Sequence, residues 1–259
     1  MSLATFWTNH TLRDGESARV YLGPLTAWIR HVKDEWQVAT EYSDDRSRCE
    51  FTMNPELPAG LEWQRWISGV TRRLRLVPVM PDRPVIVRPA NRFAISPGAS
   101  GVFYSRIPVW LRLLVGEKEI PLTEIPSVLL SNSWFGAPHD GDPCYSLRTT
   151  ARREFDTCDL QPFRARCAVH VYNRSETDEL NIENLCLRVR SLAVYEVKDG
   201  LHTNDIRVDY QGENELPDVE HQNAPPVAKA KLLCEPRDIS ARELLKRKLN
   251  TFVGFRSSS

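Results

Sequence analysis

The residues best placed to do chemistry lie in one loop, Pro138–Cys144 (PHDGDPC), which brings His139, Asp140 and Asp142 close together in the chain. One imidazole and two carboxylates could converge on a divalent ion. The same letters also make a tight Asx-rich turn, because Asp and Gly both stabilise turn conformations. A metal centre needs a third or fourth ligand at defined spacing, and none is visible, so the turn is favoured and no metal ligand is assigned. His170 is the second candidate. It falls in an alternating run, beside Tyr172 and opposite the apolar residues. A general base needs an orienting carboxylate and a nucleophile, and spacing supplies neither. Cys144 and Cys158 lack a readable context that would stabilise a thiolate. No catalytic residue and no cofactor are therefore assigned. The enzyme alternative is a carbohydrate-active or metal-dependent hydrolytic domain built from the 134–145 loop with His170.

The seven tryptophans raise a sugar-stacking reading for Trp28, Trp36, Trp63, Trp66, Trp110 and Trp134. Large aromatics also dominate β cores, and most of these alternate with polar residues as core positions would. Packing is the stronger reading.

The tail offers a different kind of site. Ser240-Ala241-Arg242-Glu243 is a capping box, and a helix from Ala241 to about Phe252 is expected, with Gly254 as its stop. Leu244, Leu245, Leu249 and Phe252 form its apolar stripe, and Arg242, Lys246, Arg247 and Lys248 its basic side. Such a helix fits an anionic membrane surface or a protein partner, and equally the surface of its own sheet. The segment QNAPPV before it reads as a semi-rigid linker that would let it reach away.

The elements that carry these residues read as strands. In PFRARCAVHVYN, Ala165, Cys167, Val169 and Val171 share one face, with Arg166, His170 and Tyr172 on the other. A longer strand is expected from Leu185 to Val197. Asp199-Gly200 then turns the chain into a return strand carrying Ile206, Val208 and Tyr210. Residues 20–42 form an earlier hairpin around Lys33-Asp34. Val109, Leu111, Leu113 and Val115 form one face of another strand, bulged or at an edge near Pro108. Pro55–Gly69 suits either a helix or a strand. Strand-and-turn spacing without βαβ alternation predicts an all-β fold, an antiparallel β-sandwich with a C-terminal amphipathic α-helix. Residues 1–222 make the sandwich, divisible into 1–80 and 81–222 at PDRP, and 223–259 the linker and helix.

Lys plus Arg equals Asp plus Glu at 34 each, so the chain lacks the basic surplus of a dedicated nucleic-acid binder, and none is expected as a partner. The N-terminus shows no signal-peptide core, no apolar run is long enough to span a membrane, and the six cysteines show no paired spacing. A cytoplasmic protein with reduced thiols is expected.

From about Arg83 to Gly212 the order RPVIVRP, RIPVWLRLLVG, SNSWFGAPHDGDPCYSL and the Asn173 turn resembles the domain of unknown function 432 family. The resemblance implies a soluble domain of unassigned role and carries no activity, cofactor or catalytic residue onto these positions. The reading is then of a non-catalytic interaction module using the basic helix.

Overall fold

The structure, a computed structural model, describes residues 6–89, 92–136, 139, 141–153, 161–212, 215 and 217–238. Alternation of apolar and polar side chains produces strands throughout, and these fall into five sheets. The helix expected over 241–252, with Arg242, Leu245, Lys246, Arg247, Leu249 and Phe252, lies outside the described residues, as do Asp140 and Cys158.

A five-stranded sheet runs β5 (Cys49–Met53), β2 (Ser17–Leu22), β3 (Leu25–Val32), β4 (Glu35–Tyr42), β6 (Gln64–Ile67), all antiparallel. The β3–β4 hairpin turns at Lys33-Asp34 as expected, with Lys33 at φ +57°. Within the ambiguous Pro55–Gly69 stretch, Gln64–Ile67 forms strand β6 and the residues around it are turn and loop.

A four-stranded sheet follows: β1 (Asn9–Thr11), β7 (Arg73–Val79), β11 (Trp110–Val115), β12 (Ile120–Pro126). Val109, Leu111, Leu113 and Val115 are all buried, so the face read from periodicity is the core face. Strand β10 (Ser100–Pro108) belongs to another sheet, and the chain crosses between the two at Pro108-Val109. Proline has no amide to give a ladder, and the Val109 amide leaves its sheet to meet the Phe163 carbonyl at 2.9 Å.

A second four-stranded sheet runs β13 (Ser131–Phe135), β14 (Asp142–Ala151), β8 (Val85–Pro89), β17 (Leu185–Leu187), and β16 (Leu180–Ile182) pairs with β9 (Phe93–Ile95). The seven-stranded sheet is centred on β15 (Arg164–Asn173), with β10 on one side. On the other lie β19 (Gly200–Thr203) and β20 (Ile206–Tyr210), then β18 (Val194–Val197), β21 (Asp218–His221) and β22 (Lys231–Cys234).

Three features depart from the expected plan. The sheets are mixed: β8–β14, β15–β19 and β15–β20 are parallel pairs. Side chains alternate identically in parallel and antiparallel strands, so periodicity cannot distinguish them. The long strand expected over 185–197 is two short ones, divided by a 3-10 turn at Val189–Ser191. The hairpin turns at Lys198-Asp199, one residue before the expected Asp199-Gly200, and its partner is β19, not Ile206–Tyr210. Asn204 causes the change: its amide oxygen accepts the Ala193 N–H at 2.8 Å and its NH2 reaches the Gln222 carbonyl at 2.7 Å. The chain bends there, and β20 pairs with β15 and β21 instead.

Most buried apolar side chains from Phe6 to Cys234 form one contiguous cluster, and Ile86, Cys144 and Cys186 make a small separate one. Asn173 closes the edge of the larger cluster. Its NH2 donates to the Ile95 and Asp178 carbonyls, each at 2.8 Å, and its oxygen accepts the Ser175 amide at 3.0 Å. The residue is 1% exposed, so water cannot replace these bonds. Replacing Asn173 with Ala is expected to cost about 3 kcal/mol, since buried backbone groups lose their partners. A urea midpoint within error of the parent would contradict that role.

QNAPPV does not launch a free tail. Residues beyond it return as β22 on the β18 edge, and the chain is then pinned to the four-stranded sheet. Arg237 donates to the Met80 carbonyl at 2.7 Å and to Glu124, and its guanidinium sits 5.7 Å from the Trp110 ring centroid. Asp238 takes a two-pronged bond from Arg190, 2.8 Å at each oxygen.

Candidate functional site

Of the residues singled out by type, Asp142 and His170 belong to strands of different sheets. His139 is exposed in the connection between β13 and β14, and Asp142 begins β14 opposite Phe135. His170 sits on β15 in the seven-stranded sheet, with its Nε2 3.1 Å from Asp205. The orienting carboxylate it needed is therefore present, but in a different sheet from the loop. Among the described residues no three His, Cys, Asp or Glu side chains are grouped to hold a metal ion.

The loop has a packing reason for its composition. A Cβ on Gly141 would fall 2.1 Å from Trp134 Nε1 and 2.6 Å from the Phe135 carbonyl, so only glycine lets the chain fold back there. Of the six tryptophans weighed for sugar stacking, Trp28 and Trp36 are buried and Trp134 alone is exposed, at 49%. Trp63 lies under Arg30, at 4.2 Å from the ring centroid.

Of the five described cysteines, four are buried and Cys49 is partly so. Cys49, Cys144, Cys167, Cys186 and Cys234 are free thiols. Burial pushes Cys49 and Cys167 up to about 12 and raises Cys144, Cys186 and Cys234 as well. A nucleophilic thiol needs the opposite shift.

Two charged clusters were not legible in the sequence. Asp199, in the β18–β19 turn, reaches Arg166 at 2.6 Å and His202 Nε2 at 2.8 Å. The parallel β15–β19 register sets Arg166 beside His202, residues 36 apart in the chain. Burial opposes the Asp199 charge, yet His202 and Arg166 hold its carboxyl below the ordinary value. Burial, then the Arg166 charge, lowers the His202 pKa, and Asp199 opposes them. The second cluster joins Arg112 and Arg237 through Glu124. Burial opposes that charge too, and the two guanidiniums overcome it. In both sets the opposite charges answer one another, which is the chemistry of holding strands together.

A third group pairs two facing side chains whose ring nitrogens are all unpartnered. His31 is 1% exposed and Trp36 0%, and neither His31 ring nitrogen nor Trp36 Nε1 meets a hydrogen-bond partner in the protein. Each such orphan costs about 1–3 kcal/mol.

His221 carries the largest resolved histidine shift. Burial, then the charge of Arg188, lowers its pKa from 6.5 to about 4, while a bond to the Arg188 backbone pulls weakly upward. Below pH 6.5 the unfolded chain takes up a proton that the folded chain refuses, so stability falls as the pH drops from about 6.5 toward 4. Replacing His221 with Gln is expected to remove about 2 kcal/mol of that pH dependence. Urea midpoints from pH 4.5 to 7.5 check it, and an unchanged slope would refute it. The slope that remains belongs in part to His202 and His10, whose pKa values are also lowered by burial.

The fold and these clusters define a multi-sheet all-β protein with ion-paired side chains between its strands. The chain belongs to the family described as protein of unknown function (DUF432), whose model matches residues 6–253. The likeness seen in blocks between 83 and 212 thus extends over the N-terminal strands and into the tail. No curated protein and no solved structure matches the chain. Among the described residues no helix is long and apolar enough to cross a membrane.

Proposed function

We propose that this protein is a β-sandwich module that works by binding, presenting its 239–259 segment as a basic amphipathic helix to an anionic membrane surface. The observation that supports this is the anchorage of Arg237 and Asp238 immediately before that segment. An anchored start fixes where the segment leaves the body, which a flexible linker would not do. Five basic residues against one acidic give 239–259 a net charge of +4, and since the chain totals zero the remainder carries −4. Charge so divided steers one end of the molecule toward anions. The cytoplasmic leaflet, which carries anionic lipid, is the proposed setting. A protein partner with an acidic apolar groove is the alternative occupant.

The test is flotation of the full chain with vesicles containing or lacking phosphatidylserine. Binding is expected only with the anionic lipid, weakening at high salt, and lost in the triple variant K246E/R247E/K248E. Equal flotation of parent and variant would overturn the membrane reading. Absence of flotation by both, with capture of an acidic peptide by the parent alone, would transfer the helix to a protein partner.

A further inference from the structure

The His31–Trp36 pair has a property that neither folding nor the proposed binding role uses. The two residues face each other across β3 and β4, with ring centroids 4.8 Å apart and planes inclined at 33°. On the same face the next pair is Ile29 and Val38, at 0% and 3% exposed, so the surroundings along the strands are apolar. The backbone of His31 is fully engaged, its amide on Glu16 and its carbonyl on Gly15. Only the ring nitrogens are left. A neutral imidazole has one N–H donor and one acceptor nitrogen, and an indole has one donor. The pair therefore offers two donors and one acceptor to something inside the protein.

If His31 were merely filling volume, leucine or phenylalanine would fill it better, because neither carries a polar atom needing a partner. Buried polar atoms in folded proteins are almost always paired, with protein or with an ordered guest. Other buried polar atoms, Trp7 Nε1 and Trp28 Nε1 among them, also meet no partner in the protein, but here three such atoms belong to two side chains that face each other. We propose that His31 and Trp36 line an internal hydrogen-bonding site on the core face of the five-stranded sheet, holding a small neutral guest that both accepts and donates hydrogen bonds. The guest accepts from Trp36 Nε1 and one His31 nitrogen and donates to the other. Water, a hydroxyl and a primary amide have this capacity. An ion does not suit the place, since charge buried among apolar side chains costs far more than a neutral group. Water held inside proteins in this way is structural, and an organic guest would make the site a receptor.

The experiment uses the full chain. Water oxygen-17 relaxation dispersion counts long-lived internal waters, and mass spectrometry identifies any small molecule released when the purified protein is denatured. Both are repeated on Trp36→Phe, which keeps a ring and removes one donor, and on His31→Leu. Either one fewer long-lived water in the variants, or a stoichiometric hydroxyl- or amide-bearing molecule released by the parent and lost from them, supports the site and tells the two guests apart. No difference between parent and Trp36→Phe in either measurement overturns it. So does a His31→Leu protein with a raised urea midpoint, because the imidazole would then be a packing residue alone. Should His31→Leu not fold, Trp36→Phe decides.

Discussion

A chain ending at Asn223 is expected to lose most of its stability, whereas one ending at Asp238 is expected to unfold like the full-length protein. The fifteen residues between the two cuts hold β22, whose Leu233 and Cys234 are 7% and 8% exposed. Burying two such side chains contributes about 3–5 kcal/mol together. The shorter chain also removes Arg237 and Asp238. Glu124 would keep Arg112 but lose its second cation, and Arg190 would lose its carboxylate. Breaking a partly buried ion pair from one side adds a further ~1–3 kcal/mol. The sum is of the order of the whole stability of a typical domain. Urea unfolding followed by tryptophan fluorescence separates the outcomes: a low or absent midpoint for the shorter chain, a parental one for the longer. Equal midpoints would mean that the β22 anchor is ornamental. The same result governs any deletion test of the tail, because a cut made at the QNAPPV linker confuses loss of binding with loss of fold.

Replacing Gly23 with Ala should cost about 2–4 kcal/mol. Gly23 turns the chain between β2 and β3 at φ +57°, a conformation that costs an L-residue about 1 kcal/mol. The added methyl would also lie 2.2 Å from Phe163 Cδ1 and 2.6 Å from its Cγ. Phe163 is wholly buried, and its carbonyl holds the Val109 amide where the chain crosses between sheets. The ring cannot withdraw without moving that crossing, and overpacking of this kind costs a further ~1–3 kcal/mol. Gly60 provides the control. It has φ +84°, but a methyl added there would meet nothing within 4 Å, so Gly60→Ala should cost only about 1 kcal/mol. If the two variants melt alike, contact with Phe163 is not what requires glycine at position 23.

Much of the strand content is legible in the chain because each residue's side is decided locally. Spacing alone assigns Ala165, Cys167, Val169 and Val171 inward, and all four are at most 1% exposed. The Lys33-Asp34 turn is legible for the same reason, since turn chemistry acts within four residues, and the Asp199-Gly200 signal marks a real turn that falls one residue earlier, at Lys198-Asp199. The site is much less legible. His170 reads as outward-facing, but Asp205 reaches it only through the parallel pairing of β15 with β20. Arg166, Asp199 and His202 carry no signal in the chain, since no short spacing relates them all. His31 is hidden because its neighbours make it look like one more strand position.

Residue order alone determined that this protein is made of strands, where several of them turn, and which side chains point inward, because pleating imposes a period of two on every strand. Direction, partner and register were decided by the folded molecule. Those depend on which distant segment fills the space beside a strand, and hydrogen bonding and packing settle that only once the layers meet. The mixed sheets, the return of 231–238 to the body and the enclosure of His31 with Trp36 are all consequences of that assembly.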